Sequence, residues 1–220
     1  MATASEIAAV GVIGAGQMGS GIAQLAAAGG CAVLLLDADP TALSRAVISI
    51  SASLRRLAAK GQLSQAACED SIKRIRCVSA VQDLRDADLV IEAVVENEAV
   101  KKKLFVELDK VTKPSAILAS NTSSISITRL ASATKRPSQV IGMHFFNPPS
   151  VMKLIEIIRG ADTSDEGVAA VRSFLEDSGS RYMLARLPRI IVDRILMPMI
   201  NEPFWALDTG VAPKETSTQG

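Results

Sequence analysis

Two side chains, His144 and Glu156, could form an acid–base pair. His144 is the only histidine of the chain, and it lies near the end of an apolar run, residues 140–146, that is typical of a strand. Glu156 lies inside the next such run, residues 153–159, where a carboxylate is costly unless it is paired. An imidazole on a neighbouring strand is a suitable partner, because the carboxylate would orient the ring and stabilise its charged form. A solitary histidine is more often a core residue, so this prediction depends on the two signals together.

The turn Gly14-Ala15-Gly16-Gln17-Met18-Gly19 could bind a dinucleotide. An apolar strand (residues 7–13) precedes it, and a small-residue helix (about 20–28) and a second strand (32–36) follow, ending at Asp37. In such a unit the first glycine allows the tight turn, the second lets backbone N–H groups approach a pyrophosphate, and the third lets the helix pack on the sheet. Asp37 would accept hydrogen bonds from ribose hydroxyls and repel the 2′-phosphate of NADP. The sequence therefore predicts a site for NAD.

A helical pattern over residues 40–60 carries polar groups that could meet a phosphate. Ser53, Arg55, Arg56 and Lys60 crowd the end of this helix. They form either a solvated basic face or a grip on a phosphate-bearing ligand, and the pattern alone leaves both possibilities open. Gly61 ends the helix, and residues 64–74 predict a second helix that returns antiparallel to the first.

Polar residues also follow two further predicted strands. Apolar runs predict strands at residues 76–78, 88–94, 116–119 and 182–185 and helices at about 98–110 and 165–177. Glu96 and the run Ser120–Ser124 follow two of these strands, at the sheet edge where open α/β folds bind ligands. The hydroxyls of that run either cap the next helix or face the ligand. Lys101, Lys102 and Lys103 are expected to be mainly solvated, although one of them could reach back towards the cofactor.

The composition excludes several other classes of protein. No charged residue lies between Glu6 and Asp37, but glycines interrupt this stretch, and no apolar run approaches the ~20 residues that a membrane span needs. A net charge of +1 and 3% aromatic residues provide no footprint for nucleic acid. The three cysteines, at positions 31, 68 and 77, do not have the spacing of metal ligands, and the chain has a single histidine, so no metal is expected. With no targeting signal visible, we expect a cytoplasmic or peroxisomal protein without a membrane partner.

The chain should divide into one complete domain and part of another. With 220 residues, 48% of them hydrophobic, it can bury a sizeable core. The alternation of strands and helices predicts a Rossmann-type, doubly wound α/β domain over residues 1–186, with the helical hairpin as an insertion. After Pro188 an apolar helix begins, running from about Ile190 to Leu207. We interpret residues 187–220 as the start of an incomplete all-α domain whose helix leaves apolar side chains in water.

Four motifs in order resemble the L-3-hydroxyacyl-CoA dehydrogenases, most of all the short 3-hydroxybutyryl-CoA type. They are the glycine turn, the strand region 90–97, Ser120–Ser124 and residues 144–149, and the resemblance covers about residues 6–210. It implies that His144 is the base, that Glu156 orients it, and that Ser123 touches both cofactor and substrate. It also implies that NAD is held by the residues Gly14, Ala15, Gly16, Gln17, Met18, Gly19, Asp37, Glu96, Lys101, Ser123 and Asn147, and coenzyme A by Ser53, Lys60 and Ser123.

The resemblance implies a reaction and an assembly. The reaction is the reversible oxidation of an L-3-hydroxyacyl-CoA to the 3-oxoacyl-CoA with NAD, as in the β-oxidation of fatty acids, and the family is homodimeric through its C-terminal domain. Arg189 and Asp193 stand where the family usually has glycine and asparagine. A hydroxyisobutyrate-type dehydrogenase also uses this glycine turn but relies on a lysine, so the predicted His144–Glu156 pair argues against it. The non-enzymatic alternative is a protein that binds NAD with little or no turnover.

Overall fold

The computed structural model describes residues 7–152, 154–185 and 191–211, which form an eight-stranded sheet flanked by helices. The strand order is β3-β2-β1-β4-β5-β6-β7-β8, and the pairs are parallel except for β6 and β7. The strands are β1 (Ala9–Ile13), β2 (Ala32–Leu36), β3 (Ile75–Val78), β4 (Leu89–Glu92), β5 (Ile117–Ser120), β6 (Val140–Phe145), β7 (Leu154–Arg159) and β8 (Arg181–Ala185). The helices are α1 (Gln17–Ala28), α2 (Pro40–Ala59), α3 (Gln65–Lys73), α4 (Glu98–Val111), α5 (Ile127–Ala131), α6 (Asp165–Asp177) and α7 (Ile191–Asp208).

Apolar clusters cover both faces of the sheet, which confirms the doubly wound α/β prediction. One cluster joins the sheet to α1, α2 and α6 through residues such as Ile22, Leu54 and Phe174. The other joins it to α4 and α5 through residues such as Phe105 and Leu130. Because helices bury both faces, the central strands are largely apolar, as is usual for parallel sheets, and the buried exceptions are Glu92, Ser120, His144 and Glu156.

The helical hairpin forms as predicted from helices α2 and α3. The side chain of Asp39 caps α2 by accepting a hydrogen bond from the Thr41 amide, and Ser64 caps α3 through the Ala67 amide. Gly61 has a φ of +68°, a conformation that suits glycine between the two helices. The buried side of α2 places Leu54 against α1 and the sheet, so the opposite side remains available to solvent and ligands.

The glycine turn has the geometry that its sequence predicts, with one difference in helix length. Gly14 has a φ of +99°, and a Cβ atom there would lie 2.5 Å from the carbonyl oxygen of Ala93. A Cβ atom on Gly19 would lie 1.7 Å from the carbonyl oxygen of Gly14, so helix and turn can only approach this closely with glycine. Helix α1 begins at Gln17, earlier than the predicted start near residue 20, because Gly16 already acts as its N-cap.

Helix α7 leaves most of its apolar side chains exposed, as expected from the sequence. Met199, Phe204 and Trp205 are among them. The predicted domain boundary and Arg189 lie outside the described residues, and only the backbone of Asp193 is described. Among the helices that the structure describes, none combines the length and apolar character needed to cross a membrane.

Candidate active site

Three cavities surround the glycine turn at the carboxyl ends of the parallel strands. The glycine-turn cavity, of about 630 Å³, is lined by residues of the turn and by Asp37 and the segment 93–95. The histidine cavity, of about 320 Å³, is lined by His144, Ser123 and the residues around them. The serine cleft, of about 470 Å³, lies between α1, α2 and residues 148–150. Ala93 and Val94 line both of the first two cavities, and Gly16 lines both the first and the third.

The glycine-turn cavity fits the adenosine and pyrophosphate of a dinucleotide. Gly16 lies at the N-terminus of α1, and a Cβ atom there would meet nothing within 4 Å, so a side chain would fill the space in front of the helix that a phosphate needs. The Oδ2 atom of Asp37 accepts a hydrogen bond of 2.6 Å from the backbone amide of Ala15, and its Oδ1 atom accepts one of 2.9 Å from the backbone amide of Asp39. These bonds hold the half-buried carboxylate at the cavity wall, where ribose hydroxyls would be recognised.

The predicted acid–base pair lies at the histidine cavity, which His144 lines while Glu156 is fully buried beside it. His144 and Glu156 are direct partners in the antiparallel register of β6 and β7. The His144 Nδ1 atom lies 2.7 Å from Oε2 of Glu156, and the side chains are 9% and 0% exposed. The imidazole also packs against the ring of Phe146, with the ring centroids 4.9 Å apart. A buried carboxylate in contact with Nδ1 fixes the orientation of the ring, so any proton transfer between this imidazole and a ligand would use Nε2.

Within the run Ser120–Ser124, some residues stabilise the loop after β5 and others line the histidine cavity. The Thr122 hydroxyl accepts hydrogen bonds from the amides of Ser124 and Ile125, which closes the turn before α5. Asn121 accepts a hydrogen bond of 2.9 Å from the amide of Phe145, which ties this loop to the strand that carries the histidine. Ser123 is exposed and lines the histidine cavity, as does Asn147. The two interpretations of this run, capping and ligand contact, therefore apply to different residues.

Glu96 and Lys101 belong to a polar network at the edge of the same cavity. Lys101 is 1% exposed, so the prediction that it is mainly solvated is wrong. Its ammonium pairs with Glu92 and, at 3.3 Å, with Oε2 of Glu96. Burial would raise the pKa of the Glu96 carboxyl, but hydrogen bonds from Thr122 and Ser124 and the charge of Lys101 outweigh it, so the pKa lies below its ordinary value.

The serine cleft contains only part of the predicted coenzyme A contact set. Ser53 lines the cleft, together with Ser49, Arg45 and Arg56. Lys60 is the exposed C-cap of α2 and is not among the residues that line the cleft. The sequence analysis missed Arg45, although positions 45, 49, 53 and 56 are spaced four, four and three residues apart and so share one face of the helix.

Comparison with known proteins agrees with this geometry. Residues 9–185 match the family model described as "3-hydroxyacyl-CoA dehydrogenase, NAD binding domain". A 3-hydroxybutyryl-CoA dehydrogenase of Bradyrhizobium diazoefficiens is 46% identical over 213 residues, which are 96% of this chain and 73% of that protein. A probable 3-hydroxybutyryl-CoA dehydrogenase of Deinococcus radiodurans is 48% identical over 206 residues, or 93% of this chain and 74% of the relative.

A solved structure shows the same likeness in three dimensions. The crystal structure of (S)-3-hydroxybutyryl-CoA dehydrogenase from Ralstonia eutropha superposes with a TM-score of 0.91 at 43% identity. The match covers 96% of this chain and 75% of that one. Sequence and fold are therefore similar to the same group of enzymes.

Proposed function

The chain belongs to the 3-hydroxyacyl-CoA dehydrogenase family of NAD-dependent oxidoreductases, and on that premise we propose that it interconverts a short L-3-hydroxyacyl-CoA, such as 3-hydroxybutyryl-CoA, and the matching 3-oxoacyl-CoA in fatty acid metabolism. The observation that carries the proposal is the contact of 2.7 Å between the buried Glu156 and His144, which lines a cavity that shares a wall with the glycine-turn cavity. That arrangement suits a proton transfer beside a bound nicotinamide.

His144 acts in this proposal as general base towards the substrate hydroxyl. Its Nε2 takes the proton from the hydroxyl oxygen in the oxidation and returns it in the reduction. NAD, when bound, accepts the hydride from the hydroxyl-bearing carbon. Glu156 keeps the ring oriented and stabilises the imidazolium that forms, while Ser123 holds the substrate oxygen near His144.

The residues around the glycine turn hold the cofactor in this proposal. The N–H groups at the start of α1, from Gly14 to Gly19, bind the pyrophosphate, and Asp37 binds the adenosine ribose. Glu96, Ser123 and Asn147 lie at the histidine cavity, where the nicotinamide side of the cofactor would sit. Contact of Lys101 with the cofactor stays a prediction.

The serine cleft is the proposed site for the phosphates of coenzyme A. Arg45 and Arg56 supply positive charge, and Ser49 and Ser53 supply hydroxyl donors on one face of α2. This supports the phosphate-gripping interpretation of the helix over the solvated one. Contact of Lys60 with coenzyme A remains a prediction that the position of the residue at the end of α2 does not itself support.

The test is to follow the loss of NADH absorbance with acetoacetyl-CoA and with longer 3-oxoacyl-CoA substrates, alongside calorimetric titration with NAD. We expect NAD to bind and the short substrate to be turned over fastest. Cofactor binding with no turnover of any 3-oxoacyl-CoA would instead support the alternative of an NAD-binding protein without catalysis. An Arg56→Gln variant should raise KM for acetoacetyl-CoA, while Arg55→Gln, at an exposed residue of the same helix that does not line the cleft, serves as the matched control.

Three further expectations belong to this proposal. Residues 1–186 would form the NAD-binding domain and residues 187–220 the start of a helical domain. A homodimer of the kind that the family forms would depend on that helical domain. Its location would be cytoplasmic or peroxisomal.

A further inference from the structure

Glu92, at the end of β4, lies at the centre of a buried polar network beneath the site. Its side chain is fully buried. One oxygen, Oε1, accepts hydrogen bonds from the amide of Val94 at 2.7 Å and from the ammonium of Lys101 at 2.5 Å. The other, Oε2, accepts one from the hydroxyl of Ser120 at 2.6 Å. Glu92 thus joins the loop after β4, helix α4 and the end of β5.

Lys101 carries this network up to the wall of the histidine cavity. Its ammonium has three acceptor oxygens within 3.4 Å, namely Oε1 of Glu92, Oε2 of Glu96 and the carbonyl of Val94. An ammonium has three protons, so these acceptors occupy all of its donors. Lys101 lines neither the histidine cavity nor the glycine-turn cavity, whereas Glu96 lines the first. Lys101 therefore holds Glu96 in place without itself lining either cavity.

Glu96 in turn fixes the loop that carries Ser123. Its Oε1 accepts hydrogen bonds from the hydroxyl of Ser124 at 2.9 Å and from the hydroxyl of Thr122. The backbone adds a parallel link, because the carbonyl of Glu92 accepts a hydrogen bond of 2.8 Å from the amide of Asn121. The loops after β4 and β5 are thereby held in one arrangement, and both line the cavity of the histidine.

We propose that Glu92 is a positioning residue for the proposed reaction, which sets the place of the Glu96 carboxylate and of the Ser120–Ser124 loop through Lys101 and Ser120. The physical reason is that a buried ion pair adds little net stability over an apolar pair of the same volume, since desolvation of the two charges offsets their attraction. What the pair adds is a fixed geometry for the groups that it touches. Small displacements at such a site cost large factors in rate.

The test separates positioning from stability by comparing single and paired substitutions. Glu92→Gln alone removes the buried negative charge that is paired with the ammonium of Lys101 and should destabilise the protein. Glu92→Gln combined with Lys101→Met removes both charges, so we expect its melting temperature to recover towards that of the parent. Its affinity for NAD and its kcat with acetoacetyl-CoA should nevertheless remain about tenfold or more below those of the parent.

Two further variants make the comparison specific. Asp109→Asn with Arg136→Met removes an ion pair of 2.9 Å that is also largely buried, and as the matched control it should leave NAD affinity unchanged. Glu96→Gln should weaken NAD binding in the parent but have much less effect in the Glu92→Gln/Lys101→Met protein, because there the carboxylate is no longer held in place.

These measurements decide whether Glu92 is a positioning residue, independently of whether the proposed reaction occurs. Recovery of both melting temperature and NAD affinity in the paired variant would overturn positioning. If the parent binds NAD without turning over any 3-oxoacyl-CoA, the proposed function fails, and the NAD affinities alone still decide the role of Glu92. Should the paired variant not fold, Glu92→Asp, which keeps the charge but shortens its reach, must weaken NAD binding, and an unchanged affinity would refute the proposal.

Discussion

The sharpest prediction concerns the pair formed by His144 and Glu156. His144→Gln removes the proposed base while keeping a polar side chain of similar size. We expect kcat to fall by about 10²–10⁴, the usual contribution of a positioned acid–base group, with nearly unchanged affinity for NAD. The affinity should hold because the proposed partner of His144 is the substrate hydroxyl, whereas the adenosine and pyrophosphate are held at the glycine-turn cavity, which His144 does not line.

The structure also provides a magnitude for Glu156→Gln. The side chain is buried and lies 2.7 Å from the imidazole, so the substitution replaces a charge-assisted hydrogen bond by a neutral one. Hydrogen bonds to charged groups contribute about 1.5–3 kcal/mol, which corresponds to roughly 10- to 100-fold in kcat at about 1.4 kcal/mol for each factor of ten. Because Glu156 acts through His144, the double variant should be no slower than His144→Gln alone.

The assay is steady-state NADH oxidation with acetoacetyl-CoA, with calorimetry for NAD. Asp88→Asn is the matched control, since Asp88 is a partly buried carboxylate that pairs with Lys113 near the amino ends of the strands. Its kcat should equal that of the parent. A His144→Gln protein as active as the parent, or Glu156→Gln and His144→Gln effects that simply multiply in the double variant, would refute the reasoning.

Three further predictions follow. Asp37 should make NAD bind at least about tenfold more tightly than NADP, because like charges about 4 Å apart cost roughly 1–4 kcal/mol, and equal affinities by calorimetry would remove Asp37 from that role. Burial would raise the pKa of Asp88, but hydrogen bonds from Lys113 and two backbone amides hold it below its ordinary value. The stability that this carboxylate contributes is therefore present above the pKa of the unfolded state and is lost as the pH falls through the pKa of the folded state. In urea unfolding, Asp88→Asn should be less stable than the parent at neutral pH and equally stable well below about pH 4. A difference in stability that does not change with pH would contradict this. The exposed face of α7 should bind hydrophobic dye and promote self-association, which Met199→Glu with Phe204→Glu should reduce in dye binding and size-exclusion chromatography, with NAD affinity unchanged as the control.

The sequence predicts the fold and the acid–base pair well, because both depend on local patterns. Gly14 and Gly19 occupy positions where the backbone admits no side chain, so their spacing predicts the turn before any tertiary contact is considered. Glu156 interrupts an apolar run, and His144 has no other histidine to compete with it, so their pairing across adjacent strands follows from the cost of burying a charge. Strand ends differ from the predictions by a few residues, as for β4, which ends at Glu92 and not at residue 94.

The burial of Lys101 was missed although its spacing contains a signal. Lys101, Phe105 and Leu108 are separated by four and three residues, so they lie on one buried face of α4, whereas Lys102 and Lys103 do not. The prediction of a solvated side chain followed the general rule for lysine, and that rule fails where a buried partner is present. The partner, Glu92, is itself a carboxylate in an apolar strand, and the pair could have been inferred as the His144–Glu156 pair was.

The direction of β7 explains how this fold supplies a buried anion to a histidine at a ligand cavity. Residues after parallel strands gather at the carboxyl edge of the sheet, where they are accessible to ligands, and His144 lies near that end of β6. Since β7 is antiparallel to β6, the two strands need only a short connection, and Glu156 lies opposite His144. Strand β8 then pairs with the other side of β7, with Met183 opposite Glu156. Glu156 thus lies on an inner strand with its side chain fully buried, while its partner faces a cavity, which keeps the anion away from water and directs its effect to the imidazole.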